Sequence, residues 1–191
     1  MIDKRPFARL GGADHGWLKA RHHFSFASYH DPDNMGWGPI RVWNDDEIAP
    51  NSGFPPHPHA DMEIVTYVRT GAITHQDSLG NKGRTEAGDV QVMSAGSGIR
   101  HAEYNVENED TTLFQIWIEP TDRGGKPSWG ARPFPKDDRA GKFVTLASGL
   151  PGDDDALPIR TNARDGAAVK DEEVLKVTAL EDAEVVLVDA A

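Results

Sequence analysis

Between residues 41 and 118 the chain alternates short β-branched or aromatic runs with polar breaks built from Gly, Asn and Asp, and the runs follow one another too closely to leave room for helices. Residues 62–69 place Ile64, Thr66 and Val68 on one face of a strand. Thr70-Gly71 then turns the chain into Ala72-Ile73-Thr74-His75, which reads as a hairpin. A second turn falls at Ser78-Leu79-Gly80-Asn81 and a third at Ala87-Gly88-Asp89, after which Val90-Gln91-Val92-Met93 returns as a strand with one apolar face. The run from Thr112 to Ile118 is strongly β-forming, and Glu119-Pro120 stops it because proline has no N–H for a ladder. The pattern predicts an all-β antiparallel sandwich or barrel.

Past Pro120 the composition shifts to Gly, Pro and charge, as in Asp122-Arg123-Gly124-Gly125-Lys126-Pro127, which marks residues 121–141 as a connecting segment. Residues 142–191 offer three short strand candidates, at 143–146, 174–177 and 185–188, too little apolar material for a second independent core. Three strands cannot close a barrel, so their apolar faces are expected to rest on the N-terminal barrel or, as second choice, on the tail of a second copy in a homodimer.

Composition narrows the chemistry. The 191 residues carry 20 basic and 31 acidic side chains, a net charge of -11, which argues against direct nucleic-acid binding. No apolar run approaches the roughly 18 residues of a membrane span, and no secretory signal opens the chain, so a cytoplasmic protein without membrane contact is expected. With no cysteine, any metal must be held by nitrogen and oxygen.

Two pairs of residues meet that requirement. In Gly53-Phe54-Pro55-Pro56-His57-Pro58-His59 the prolines favour an extended chain, so His57 and His59, at i and i+2, point the same way. His101-Ala102-Glu103 repeats the spacing with a carboxylate as second member, just after Gly96-Ser97-Gly98. Adjacent strands would converge His57, His59, His101 and Glu103 on one ion of Fe(II), Mn, Ni, Cu or Zn, leaving open positions at a six-coordinate metal. The competing reading is a structural hydrogen-bond cluster. One of His22 and His23 is expected near the rim, and Glu63 to orient a histidine from behind rather than to ligate. His75 and Asp77 share a strand face, which a solvated sheet edge explains equally well. Phe24, Phe26, Trp43 and Phe54 read mainly as core. Motifs for phosphate loops, dinucleotides, zincins and serine hydrolases are absent.

Residues 1–120 resemble the pirin family of the cupin superfamily almost continuously. The carrying segments are His15-Gly16-Trp17, His23-Phe24-Ser25-Phe26, Asn44-Asp45-Asp46, residues 53–68, His75-Gln76-Asp77-Ser78-Leu79-Gly80-Asn81 and residues 88–103. The resemblance implies a metal-binding cupin barrel over residues 1–120, the connecting segment 121–141 and a reduced second cupin-like segment over 142–191, with several middle strands missing near residues 162–165. It implies one divalent ion per chain, Fe(II) first and Ni, Cu, Co, Mn or Zn as alternatives, on His57, His59, His101 and Glu103. The implied activity is that of the bacterial pirin-like quercetin 2,3-dioxygenases: opening of the central ring of a flavonol by dioxygen, with Glu103 as a ligand; a Glu103 that loosens from the ion would also serve as general base for the substrate hydroxyl. The alternatives are a non-catalytic metal-dependent regulator or sensor acting through a protein partner, and a cupin isomerase or other small-molecule enzyme.

Overall fold

The computed structural model describes residues 5–136 and 143–161. After a 3-10 turn at Phe7–Arg9 come β1 (Gly11–Asp14), β2 (Leu18–His22), β3 (Ile40–Ile48), β4 (Ser52–His59), β5 (Glu63–Thr70), β6 (Ala72–Asp77), β7 (Lys82–Glu86) and β8 (Val90–Ser94). They are followed by β9 (Ile99–Asn105), β10 (Thr111–Ile118), β11 (Ser128–Arg132), β12 (Ala147–Ser148) and β13 (Leu157–Pro158). Seven strands form one antiparallel sheet in the order β1-β2-β3-β10-β5-β8-β11, and four form a second in the order β4-β9-β6-β7. The all-β expectation holds among the described residues, where no helix is long and apolar enough to cross a membrane.

The expected hairpin at Thr70-Gly71 is corrected. Strand β5 pairs with β10 and β8 while β6 pairs with β9 and β7, so the chain changes sheets at Gly71. Gly71 makes this sharp step at φ 71, where a Cβ would fall 2.5 Å from Thr111 Oγ1. Ala87-Gly88-Asp89 also steps between sheets, whereas Ser78-Leu79-Gly80-Asn81 does close a hairpin, β6 to β7.

Strand parity divides the interior into layers. Ile64, Met93, Ala95 and Ile99 form an apolar cluster with Trp117 and Trp129 packed against it. Leu18, Ile48, Val68, Ile73 and Leu113 form another with Phe54 and Trp17. Between them along the same strands lie Thr66 of β5, Gln91 of β8, Gln115 of β10 and His101 and Glu103 of β9, all buried. Such a polar layer is stable only when its groups are hydrogen-bonded or hold an ion.

The opposite face of the larger sheet is covered as well, which is why β5 is buried from Glu63 to Val68 and β8 throughout, rather than showing one apolar face. Val65, Tyr67, Val90, Val92, Ile116 and Ile118 pack with Phe134 and Leu157, and Leu146, Ala147 and Ile159 join from the side. The stretch expected to connect two units thus supplies β11, paired with β8, and Phe134 to this core. Residues 143–146 are not a strand; the short parallel pair β12–β13 follows instead, with Leu146 and Leu157 packed on the barrel. The strand candidates at 174–177 and 185–188 lie outside the described residues.

Candidate metal centre

Pairing of β4 with β9 sets His57 opposite His101 and His59 opposite Ile99, with an irregularity between Phe54 and His57. The three imidazoles crowd together: ring centroids are 4.5 Å apart for His57 and His101, 4.8 Å for His57 and His59, and 5.0 Å for His59 and His101. One ring nitrogen of each lies within 4.8 Å of the others. His57 Nδ1 donates to the Pro55 carbonyl at 2.8 Å, so in the neutral ring Nε2 carries the bare lone pair. That Nε2 stands 3.1 Å from Nε2 of His101. Among the described residues the buried Nε2 of His59 has no hydrogen-bond partner.

Bare and unpartnered nitrogens at this spacing suit a cation. Two ligands at right angles and about 2.1 Å from a metal are separated by about 3 Å. Burial, reinforced by the neighbouring His57, pushes His59 down to about 4. Burial and the surrounding His57, His59 and His75 push His101 to about 2, so both present neutral, ligand-competent rings.

Glu103 stands deeper, 1% exposed. A carboxylate oxygen of Glu103 groups with nitrogens of His75 and His101, within 4.8 Å of one another, rather than with His57 and His59. Oε1 accepts from Gln91 Nε2 at 2.6 Å and Thr66 Oγ1 at 3.4 Å, and Oε2 accepts from Gln115 Nε2 at 2.8 Å. The Gln115 amide is oriented by the Trp117 indole, a pure donor, which gives its N–H to Gln115 Oε1 at 3.1 Å. Burial pushes Glu103 up to about 7, opposed by these donors from Thr66, Gln91 and Gln115. A second buried carboxyl, Asp46 on β3, has an Oδ1 without a partner among the described residues; burial first, then Glu103 and Asp45, push it up to about 8.

The other candidates fall into place by parity. His75 and Asp77 are not a wet edge: His75 is fully buried, its Nε2 lies 3.0 Å from Asp77 Oδ2, and its ring stacks at 4.7 Å on Trp129. Glu63 faces away from the interior, where Oε2 accepts from Ser94 Oγ at 2.5 Å and from the Arg160 N–H at 3.1 Å. It orients no histidine, contrary to expectation; it sits one residue out of step with Ile64, Thr66 and Val68, a signal already present in the alternation. His22 is buried against Asn44 Oδ1 at 2.8 Å, while burial and nearby Arg5 push the half-buried His23 down to about 4. Phe24, Trp43 and Phe54 are partly buried and pack against the core clusters. Phe26 meets Trp117 edge-on, and Trp117 meets His59 in the same way at 4.9 Å, so an aromatic wall backs the imidazoles.

The Pirin family model matches residues 4–118. The chain belongs to the pirin family. A pirin-like protein of Caulobacter vibrioides is 65% identical over the whole of both chains, in an alignment of 232 positions. This pirin has 191 residues, so the shortfall lies inside that alignment. The quercetin 2,3-dioxygenase of Escherichia coli is 50% identical over 148 residues, 77% of this pirin and 63% of that relative's length. The crystal structure of the Escherichia coli pirin YhhW in complex with nickel(II) superimposes with a TM-score of 0.72 at 44% identity, covering 82% of this pirin and 66% of that chain. The two-sheet barrel is accordingly a cupin-type β fold.

Proposed function

We propose that this pirin is a metal-dependent dioxygenase that opens the central ring of a flavonol such as quercetin. His57, His59 and His101 hold one divalent ion, Fe(II) first, and Glu103 serves as fourth donor and counter-charge. The observation that carries the reading is the convergence of three ring nitrogens on one point, with the bare Nε2 of His57 and the unpartnered Nε2 of His59 among them. Similarity to a quercetin 2,3-dioxygenase and to a nickel-binding pirin supports it. When bound, the ion supplies a Lewis acid and, if redox-active, a route for electrons to dioxygen.

The protein's own residues supply position and proton handling. An open surface depression lies beside His59, lined by Pro58, Ser78, Ile99 and Arg100. Arg100 is held at its rim by donating to the Pro56 carbonyl at 2.9 Å. Glu103, raised by burial to about 7 and held by Gln91, Thr66 and Gln115, is the group we assign as base for the substrate hydroxyl proton.

Reconstitution with Fe(II), Ni(II), Cu(II), Co(II), Mn(II) and Zn(II) separately, followed by aerobic turnover of quercetin, tests the reading. The expected result is one ion per chain, ring opening with at least one metal, and occupancy below about a tenth in His57→Ala and His101→Ala variants that stay folded. Full occupancy in both variants overturns the ligand assignment. Metal binding without ring opening under any metal overturns the dioxygenase reading, and recovery of a tight protein partner in addition favours a regulator.

A further inference from the structure

Asp77 lies opposite His101 in the pairing of β6 with β9, and His75 lies opposite Glu103, so His75 and Asp77 stand directly beside the histidine cluster. The Asp77 carboxylate is surrounded by donors. Oδ1 accepts the backbone N–H groups of Leu79 at 2.9 Å and Asn81 at 3.1 Å, and Oδ2 accepts Asn81 Nδ2 at 2.9 Å. An acceptor so placed has no proton to give, so at the 3.0 Å contact between Oδ2 and His75 Nε2 the imidazole must be the donor. With the proton on Nε2, a neutral His75 has a bare Nδ1. That Nδ1 lies 3.4 Å from Nδ1 of His101, which must then carry the hydrogen between them. The proton of His101 is thereby committed to Nδ1, and its Nε2, facing His57 Nε2 at 3.1 Å, is left bare.

We infer that Asp77 and His75 are positioning residues that lock His101 in the tautomer whose Nε2 is free to bind metal, through a directed chain from His101 Nδ1–H to His75 Nδ1 and from His75 Nε2–H to Asp77 Oδ2. The inference rests on the reading of His57, His59 and His101 as a metal centre. Neither His75 nor Asp77 touches the ion in this scheme. Hydrogen bonds from behind a ligating imidazole raise its basicity and fix its plane, and losing them typically costs 10- to 100-fold in affinity, about the range expected here.

Asp77→Asn separates this role from mere packing, because the variant is isosteric. The two backbone N–H groups require an oxygen at the Oδ1 position, so the new NH₂ takes the Oδ2 position, where the Asn81 amide flips to present its oxygen and His75 Nε2 becomes an acceptor. His75 then protonates on Nδ1 and donates to His101 Nδ1, which sends the His101 proton to Nε2 and blocks it. Long-range ¹H–¹⁵N spectra of the histidines in metal-free protein read the tautomers directly. Wild type should show His101 protonated on Nδ1 and Asp77→Asn should show it on Nε2, with Ni(II) affinity lower by roughly 10- to 100-fold. His75→Phe, which keeps a ring beneath Trp129 but ends the chain, should give a smaller loss and a mixture of tautomers. Wild-type His101 protonated on Nε2 overturns the inference whether or not any variant folds. So does an unchanged tautomer in Asp77→Asn with Ni(II) affinity within twofold. The tautomer readout needs no metal: failure of wild type to bind Ni(II) refutes the metal-centre reading and leaves the relay to be judged by the spectra.

Discussion

A Cβ on Gly83 would lie 2.3 Å from Cη2 of Trp129, the indole that stacks on His75. Gly83 is also the cross-strand partner of His75, so the missing side chain is what lets an indole from the larger sheet settle over this imidazole. Gly83→Ala forces the indole away from its seat or bends β7. The expected cost is about 1–3 kcal/mol, typical of an overpacked core, with a weaker near-ultraviolet dichroism signal. A melting temperature and dichroism equal to wild type would show that Trp129 has free room to move.

Glu103→Gln replaces one oxygen of a doubly accepting carboxylate with an NH₂. Gln91 and Gln115 both aim donors at this group, and the Trp117 indole keeps the Gln115 amide from flipping. One donor therefore meets another donor, and stability should fall by about 1–3 kcal/mol in metal-free protein. Quercetin turnover should fall by roughly 100-fold or more from loss of the base and charge, while metal affinity weakens less than in the histidine variants. Near-wild-type turnover would refute the assigned role of Glu103.

The histidine cluster was legible because a proline-rich extended segment and a second i, i+2 pair restrict where side chains can point. The polar layer behind it was not. An alternating strand such as residues 72–77 looks the same whether its polar face meets water or the inside of a barrel, and only pairing with β9 decides in favour of the interior. Turn residues likewise announced Gly71 and Gly88 without revealing which strands they separate, since the local chain fixes the bend and distant strands fix the partner. Strand β11 was hidden because Ser128-Trp129-Gly130-Ala131-Arg132 has no β-branched residue and stands behind two glycines and a proline.

Glu63 and Glu103 differ in what their loss should do. Glu63 anchors Ser94 and the Arg160 N–H on the outer face, beside the core that Leu157 and Phe134 complete. Glu63→Ala should leave metal occupancy unchanged, lower stability by about 1–3 kcal/mol and speed proteolytic cleavage within residues 143–161. Occupancy falling as far as in His57→Ala would place Glu63 among the ligands instead.

Asp46 supplies a pH test of the buried layer. Burial, with Glu103 and Asp45 adding to it, raises this carboxyl from 3.8 to about 8 in the folded chain. Between those values the folded state holds a proton that the unfolded state has released. The sign follows: the stabilisation is complete below about 4 and is lost progressively as pH rises toward 8, at about 1.4 kcal/mol per unit. Asp46→Asn has no proton to lose, so the melting temperature of the variant minus that of wild type should climb from pH 5 to pH 8 and level off above. Groups remote from Asp46 titrate alike in both proteins and cancel in the difference. A difference that stays flat across this range would mean that Asp46 ionises normally and that its Oδ1 finds a partner in solution.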